Sequence, residues 1–347
     1  MSSKERAAGR AARQHPTQRQ QQAGSPCYRQ LLATLSDSAL PVCGLALVAD
    51  RLYVCRSRSA VVDVYDAART TYRRHRSVRV SGLTEPSDMA ATAAGRRGDG
   101  GTVVETPRLF ISSETDGAVF RVTGDGAVQT RWSTDDRPYA VSPLLDPATH
   151  LLVLSRHAAS VSVLDDDGRP LRQLRLPASV ASSPWAALVV PTSAGGDAAA
   201  AAGDLLVCHG GGGDSTAEDG DDGGRRRCVS RLDWRTGAVT RRYDWPHQPR
   251  HRRASHASMH MVAESDTGSL LVSDQCCNTV QRVDVQLTSR LSLLHTSSHS
   301  DDDDDDDDVD PVIDQPRRLC VDAARQRLVV GLDDGRVRVF ANGCVVM

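Results

Sequence analysis

Residues 316–340 read PRRLCVDAARQRLVVGLDDGRVRVF and contain the last copy of a repeat. A short apolar run follows the proline, a second run begins at Leu328, and a third, alternating run begins at Val337. Alternation with a period of two is typical of a β-strand that has one buried face. The Asn342-Gly343 pair after the third run favours a hairpin turn. The unit therefore predicts successive antiparallel strands.

Five further copies of this unit precede it in the chain. The six openings are Pro41, Pro86, Pro138, Pro184, Ser258 and Pro316. The second run of each copy starts at Leu52, Leu109, Leu151, Leu205, Leu270 and Leu328, and the third at Val61, Val119, Val161, Val229, Val280 and Val337. A more polar fourth run, such as Thr130-Arg-Trp-Ser, suits an exposed outer edge. We predict an all-β, six-bladed β-propeller of four-stranded antiparallel blades, with the first strand of each blade nearest the axis.

The last blade needs a fourth strand, and two segments compete for this place. One is Cys344 to Met347, which is short. The other is Arg29-Gln-Leu-Leu-Ala-Thr-Leu, which precedes the first repeat. We favour the N-terminal segment, which would close the ring by pairing the start of the chain with its end.

The repeats leave a tail and several insertions. Residues 1–26 are polar and lack periodicity, so we expect a disordered tail before a propeller that spans 27–347. We also expect disordered loop insertions near 94–106, 193–203, 211–226 and 296–311.

The composition limits the classes of protein to which this chain can belong. The formal net charge of −2 gives no overall attraction to nucleic acid or to an anionic membrane. No apolar run reaches the roughly 18–20 residues that span a bilayer, and the N-terminus lacks the apolar core of a secretory signal. Nine cysteines without metal-type spacing fit reduced thiols. We expect a cytoplasmic, monomeric protein; a mitochondrial transit peptide is the alternative for its arginine-rich start.

Two copies carry a resemblance to a known family. Residues 270–283, LLVSDQCCNTVQRV, and residues 316–340 resemble NHL repeats, in which an apolar strand ends in Ala/Ser-Asp before a short loop with Asn and a further strand. The resemblance to TRIM-NHL propellers covers roughly residues 28–347, and blades two and four depart from it through insertions. It implies a six-bladed binding propeller. The RING and B-box modules of TRIM proteins have no counterpart here, so ubiquitin ligase activity is not implied.

Three unusual connections predict a partner-binding face. They join strands or blades in blades four to six, and all should emerge on one face. Their charged residues are Arg225, Arg226 and Arg227, then Arg250, Arg252 and Arg253, then a run of eight aspartates that includes Asp301, Asp304 and Asp308. Arginine binds carboxylate and phosphate groups through paired hydrogen bonds. The leading hypothesis is a non-catalytic scaffold for another protein, whose identity the sequence does not give. The alternatives for these charges are a solvated, low-complexity expansion in tolerant loops, or mutual neutralisation of the two neighbouring charge runs.

RNA is the second candidate partner, as the resemblance to TRIM-NHL propellers implies. Arg73, Arg74 and Arg76 would add positive charge. However, aromatic residues, which stack on bases, make up 4% of the chain.

A metal-dependent hydrolase or lyase is the third hypothesis. The starts of the inner strands offer Val42, Asp88, Tyr139, Trp185, His260 and Arg317. One acid and one histidine are too few for an oxygen-rich metal site. We expect no catalytic residue, no metal and no cofactor.

Overall fold

The structure is a computed structural model that describes residues 28–97, 103–134, 136–144, 150–191, 203–210, 227–245, 258–264, 267–295 and 313–342. All structural statements below concern these residues.

Each apolar run of the repeat forms a strand. The strands are β1 (Tyr28–Leu35), β2 (Val42–Val48), β3 (Arg51–Arg56), β4 (Val61–Asp66), β5 (Arg74–Arg79), β6 (Asp88–Arg97), β7 (Val103–Ser113), β8 (Ala118–Thr123), β9 (Val128–Ser133), β10 (Pro138–Pro143), β11 (Leu151–Ser155), β12 (Ser160–Leu164), β13 (Pro170–Arg175), β14 (Pro184–Pro191), β15 (Gly203–Gly210), β16 (Arg227–Asp233), β17 (Val239–Asp244), β18 (Met259–Glu264), β19 (Ser269–Asp274), β20 (Thr279–Asp284), β21 (Arg290–His295), β22 (Pro316–Asp322), β23 (Arg327–Leu332) and β24 (Val337–Asn342). One short helix, α1 (Ala178–Ala181), lies between β13 and β14.

The strands form six antiparallel sheets of four, as predicted. Blades 1 to 5 are β2–β5, β6–β9, β10–β13, β14–β17 and β18–β21, and blade 6 is β22–β24 with β1. The first strands of successive blades lie side by side, and β22 returns to β2. This arrangement is a closed six-bladed β-propeller, with the first strand of each blade at the axis.

Burial decreases from the axis outward. In blade 1, six of the seven residues of β2 are buried, whereas five of the six residues of β5 are exposed. The apolar residues of adjacent blades pack together, and six buried clusters occupy the six interfaces between blades. These clusters also contain the four tryptophans, which are Trp132, Trp185, Trp234 and Trp245. The core is therefore a ring of interfaces between sheets.

The N-terminal segment closes the ring. β1 pairs antiparallel with β24, with Leu31 opposite Phe340 and Leu35 opposite Val337. The prediction that favoured this segment is confirmed. The competing segment 344–347 lies outside the described residues, as does the predicted tail 1–26.

One predicted loop is largely strand. Within the segment 94–106, residues 94–97 and 103–106 pair with each other and lengthen the β6–β7 hairpin. The sequence pattern alone did not distinguish this two-stranded extension from a loop, because the repeat has no counterpart for these residues in the other blades. The predicted insertions near 193–203, 211–226 and 296–311 lie outside the described residues except for Gly203, which is the first residue of β15.

Among the described residues, no helix is long and apolar enough to cross a membrane.

The closing strand provides a test of the ring. We expect Leu35→Ala to lower the free energy of unfolding by about 2–4 kcal/mol, because the Leu35 side chain is buried between blades 6 and 1. Leu31→Ala is the matched control, since Leu31 lies on the same strand and is 41% exposed; we expect a change below about 1 kcal/mol. Urea denaturation measures both. Equal effects of the two substitutions would show that β1 does not close the ring as described.

Candidate functional site

The third residue of each repeat opening lies on the first strand of its blade, beside the axis. Counted from the opening residue, these positions are Cys43, Asp88, Ala140, Ala186, His260 and Arg318. Three of them are small, and the other three place an acid, a histidine and an arginine at one level of the axis. We call Asp88, His260 and Arg318 the axial cluster.

The axial cluster spans the axis from opposite sides. Asp88 belongs to blade 2 and His260 to blade 5, and these blades face each other in a ring of six. The Nε2 atom of His260 nevertheless lies only 4.0 Å from Oδ1 of Asp88. Arg318, on blade 6, reaches the carbonyl of Ser87 at the start of blade 2. Side chains therefore fill the axis at this level.

Arg318 is held by backbone carbonyls from three blades. Its Nε donates to the carbonyl of Cys43 at 2.6 Å, Nη1 to that of Arg317 at 3.0 Å and Nη2 to that of Ser87 at 2.8 Å. Its Nε also lies 3.2 Å from Oδ1 of Asp88, and both side chains are 2% exposed. A buried charge needs such partners, because its loss of hydration is otherwise uncompensated.

Asp88 is the counter-charge of Arg318. Its Oδ2 accepts a hydrogen bond from the backbone N–H of Val141, on blade 3, at 3.1 Å. Burial raises the pKa of the Asp88 carboxyl, and the Arg318 cation and the Val141 N–H oppose this rise. Its Oδ1 has no hydrogen-bond partner among the described residues, since the single Nε hydrogen of Arg318 points to Cys43.

The tautomer of His260 follows from its contacts. The backbone N–H of Leu319 donates to Nδ1 of His260 at 3.3 Å, so the proton of the neutral ring lies on Nε2, which faces Asp88. Burial, and then the Arg318 cation, hold the pKa of His260 well below its usual range. The axial cluster is thus a neutral imidazole beside one compensated ion pair.

The axial cluster therefore suits a polar plug better than a metal centre. Its only carboxylate is already neutralised by Arg318, and that cation would repel a metal ion. Among the residues that the structure describes, no group of three or more His, Cys, Asp or Glu side chains could hold a metal.

A charged rim surrounds part of this plug. Arg156 lies 3.0 Å from a carboxylate oxygen of Glu114, and its guanidinium stands 4.4 Å from the centre of the Tyr139 ring. His157 lies 3.1 Å from the other oxygen of Glu114. These contacts join the ends of the second strands of blades 2 and 3 on one face of the ring.

Arg317 was predicted at the start of the inner strand of blade 6, but the arginine that reaches the axis there is Arg318. Arg317 instead pairs with Asp333 at the rim, at 2.9 Å. The pairing of β22 with β23 is irregular between Pro316 and Arg318. Such a bulge redirects side chains, so simple alternation after the proline fails there. Counting the third residue of every repeat opening would have found Arg318.

Of the arginines and aspartates predicted to bind a partner, the structure describes only Arg227. Its Nη1 forms an ion pair with Asp274, which is fully buried, and Nη2 donates to Sγ of Cys277 at 3.3 Å. Arg227 therefore joins blades 4 and 5 and is not presented to a partner. The other predicted residues lie outside the described ranges: Arg225, Arg226, Arg250, Arg252, Arg253, Asp301, Asp304 and Asp308.

The ends of the three unusual connections meet at one turn. This turn, residues 275–278 of blade 5, follows β19; we call it the blade-5 turn. Arg227, which ends the connection 211–226, contacts Cys277. The backbone N–H of Ser258, after the connection 246–257, donates to Gln275 at 3.1 Å. The backbone N–H of Gln315, after the connection 296–312, donates to Asn278 at 2.8 Å.

Comparison with known proteins supports the fold alone. No protein-family model and no curated protein compared with this chain matches it. The WD40 β-propeller domain of Doa1 is similar in structure, with a TM-score of 0.54 and 12% identity over 92% of this chain and 98% of that one. Virginiamycin B lyase from Staphylococcus aureus gives a TM-score of 0.53 and 10% identity, over 89% and 98% of the two chains. Hydrazine synthase from Kuenenia stuttgartiensis gives 0.53 and 15%, over 85% and 74%. This chain is therefore a β-propeller, and the finer NHL assignment stays a prediction.

His209, near the end of β15, is a fully buried histidine. Its Nδ1 lies 3.0 Å from the carbonyl of Gly210 and its Nε2 lies 2.8 Å from Oγ of Ser230. The carbonyl can only accept, so Nδ1 carries the proton and Nε2 accepts from the serine. Burial lowers the pKa of His209 to about 4, although the Gly210 carbonyl opposes this shift.

The axial ion pair should be essential to stability. We expect Arg318→Met to lower the free energy of unfolding by about 3–5 kcal/mol, because it leaves Asp88 buried without its counter-charge. Adding Asp88→Asn should restore part of this loss. Arg336→Met is the matched control, since the Arg336–Asp334 pair is 39% exposed on both sides, and it should cost less than about 1 kcal/mol. Urea denaturation measures these changes. If the changes in the free energy of unfolding caused by the Arg318 and Asp88 substitutions were additive in the double variant, the two side chains would not be coupled.

His209 should make folding sensitive to acid. Its pKa is lowered to about 4 in the folded state from the ordinary 6.5, so the unfolded chain binds more protons between these values. The stability that the neutral imidazole of His209 contributes is fully present above pH 6.5. It is lost as pH falls toward 4, and the loss is on the order of 3 kcal/mol. His209→Gln should flatten the dependence of the free energy of unfolding on pH in this window. An unchanged slope for His209→Gln would contradict the assignment of a buried neutral imidazole.

Proposed function

We propose that this protein is a non-catalytic binding propeller that holds a partner protein on one sector of one face. The sector is the region around the blade-5 turn, where the connections 211–226, 246–257 and 296–312 begin or end. The convergence of their ends on that turn carries the proposal. The resemblance of the repeats to NHL propellers agrees with a binding role.

The blade-5 turn offers a rigid base for such a surface. Oδ1 of the buried Asp274 accepts hydrogen bonds from the backbone N–H groups of Cys276 and Cys277, at 3.0 and 3.1 Å. The same carboxylate binds Arg227 from the preceding blade. Functional loops on propellers and other folds depend on a scaffold that fixes their ends. Here a single buried carboxylate fixes both the turn and the end of one connection.

The axial cluster supports a binding role over a catalytic one. The charges of Asp88 and Arg318 compensate each other, and every donor group of Arg318 named above is used by a backbone carbonyl. A catalytic acid or base would need to reach a substrate.

RNA gains no specific support from the described contacts. Trp245, at the start of the connection 246–257, is 3% exposed and packs edge-on against Tyr243. It is therefore not an open platform for stacking a base. In blade 1, Arg74 binds Asp63, and Arg76 donates to the carbonyl of Gly124.

A pull-down with a matched deletion tests the proposal. The test variant replaces 212–225, 247–256 and 297–311 with short Gly-Ser linkers, so that Arg227, Ser258 and Gln315 remain. The control variant makes the same replacement at 193–201, between β14 and β15, whose joined ends lie on the opposite face. We expect the intact chain and the control variant to recover the same specific proteins and the test variant to lose them. Equal recovery by a test variant that unfolds at the same denaturant concentration as the intact chain would refute the site.

A further inference from the structure

The outer strand of blade 1 is strongly basic. Residues 73–79 read RRHRSVR and contain four arginines, one histidine and no acid. The corresponding strand of blade 4, β17, carries two arginines together with Asp244, which pairs with Arg242. We call residues 73–79 the basic edge.

Two arginines of the basic edge are not engaged by the protein. Arg74 binds Asp63 and Ser77, and Arg76 donates to the carbonyl of Gly124 on blade 2. Arg73 and Arg79 are exposed, and neither side chain has an ion-pair or hydrogen-bond partner in the described part of the chain. Their charges are available to a ligand at both ends of the strand.

The backbone of the basic edge is also available. β5 is the last strand in the order β2-β3-β4-β5, so the N–H and C=O groups on its outer side have no partner strand in the described residues. An extended chain can add to such an edge through main-chain hydrogen bonds. The positive charges repel a second copy of the same strand and favour a strand with acidic side chains.

The surroundings favour a polypeptide over a nucleic acid. Single-stranded RNA usually stacks its bases on exposed aromatic rings. Aromatic residues near the basic edge in the described part of the chain include Tyr53, Tyr65 and Tyr72, and they are 2%, 1% and 2% exposed. The available features are therefore charge and strand-pairing groups, which are the features that an extended acidic peptide uses.

We propose that the basic edge binds an extended acidic segment of another protein, which adds to β5 as a fifth strand of blade 1. Arg73 and Arg79 pair with carboxylates of the incoming strand. This site is separate from the face around the blade-5 turn and does not depend on the function proposed there.

Fluorescence polarisation with a labelled, end-capped (Asp-Val)₄ peptide tests this site on the full chain. We expect saturable binding that weakens as salt increases, and about tenfold weaker binding after Arg73→Gln with Arg79→Gln. The matched control is Arg169→Gln with Arg175→Gln, which removes the same charge from the exposed outer part of blade 3 and should leave the affinity unchanged. Both double variants should unfold at the same urea concentration as the intact chain.

Three further probes distinguish strand addition from simple charge attraction. The same peptide with N-methylated backbone nitrogens should bind at least about tenfold more weakly, because it cannot complete the main-chain hydrogen bonds. A (Lys-Val)₄ peptide should not bind. An oligouridylate of similar charge should bind more weakly than the acidic peptide.

Several outcomes would overturn the proposal. These are absence of binding, equal loss in the two double variants, equal binding of the N-methylated peptide, or tighter binding of the oligouridylate. Sedimentation of the intact chain provides one further test. If the chain self-associates and the double variant Arg73→Gln with Arg79→Gln abolishes this association, the occupant of the basic edge is a second copy of this chain instead.

Discussion

The contact between Arg318 and Asp88 is the constraint on which the centre of the molecule depends. Both charges are removed from water, and each must therefore find its partners within the protein. The carbonyls that bind Arg318 belong to Cys43 in blade 1, Ser87 before blade 2 and Arg317 in blade 6. These groups meet only when the blades are arranged in a closed ring, because blades 6 and 2 are not neighbours. If the ring of blades closes incorrectly, these two charges are therefore buried without their partners, which is energetically costly.

Closure at the axis and closure at the outer edge reinforce each other. The pairing of β1 with β24 completes blade 6, and the same blade presents Arg318 to the axis. The β1–β24 pairing joins residues that are far apart in sequence, so its entropic cost must be met by many contacts at once. Tyr28, at the start of β1, adds a direct link to blade 5, where its hydroxyl donates to the buried Glu264 at 2.8 Å. Glu264 is in turn held by Arg282. The last blade is therefore fixed to the ring by buried polar contacts as well as by its apolar face.

Most of the fold could be predicted from the sequence, because the signals that specify it are local. Alternating runs such as that from Val337 to Phe340 reveal strands, and their sixfold recurrence gives the number of blades. The axial cluster could not be predicted in full, because Arg317 and Arg318 are chemically identical and a bulge decides which one points inward. The contacts of Arg227 could not be predicted for another reason. Its partner Asp274 lies in the next blade, and the sequence pattern does not show that this carboxylate is buried beneath the turn.

Insertions by themselves do not identify a binding face in this protein. The connections 98–102 and 192–202 leave from the β6–β7 and β14–β15 hairpins, on the face opposite to the blade-5 turn, and long surface loops cost a propeller little stability. What differs on the other face is that three connections share one base. Asp274 holds the blade-5 turn through Cys276 and Cys277 and holds blade 4 through Arg227. The described ends of the three connections are therefore held at one place, the blade-5 turn. Loops that act together on one partner would need such a shared base, whereas unrelated surface expansions would not.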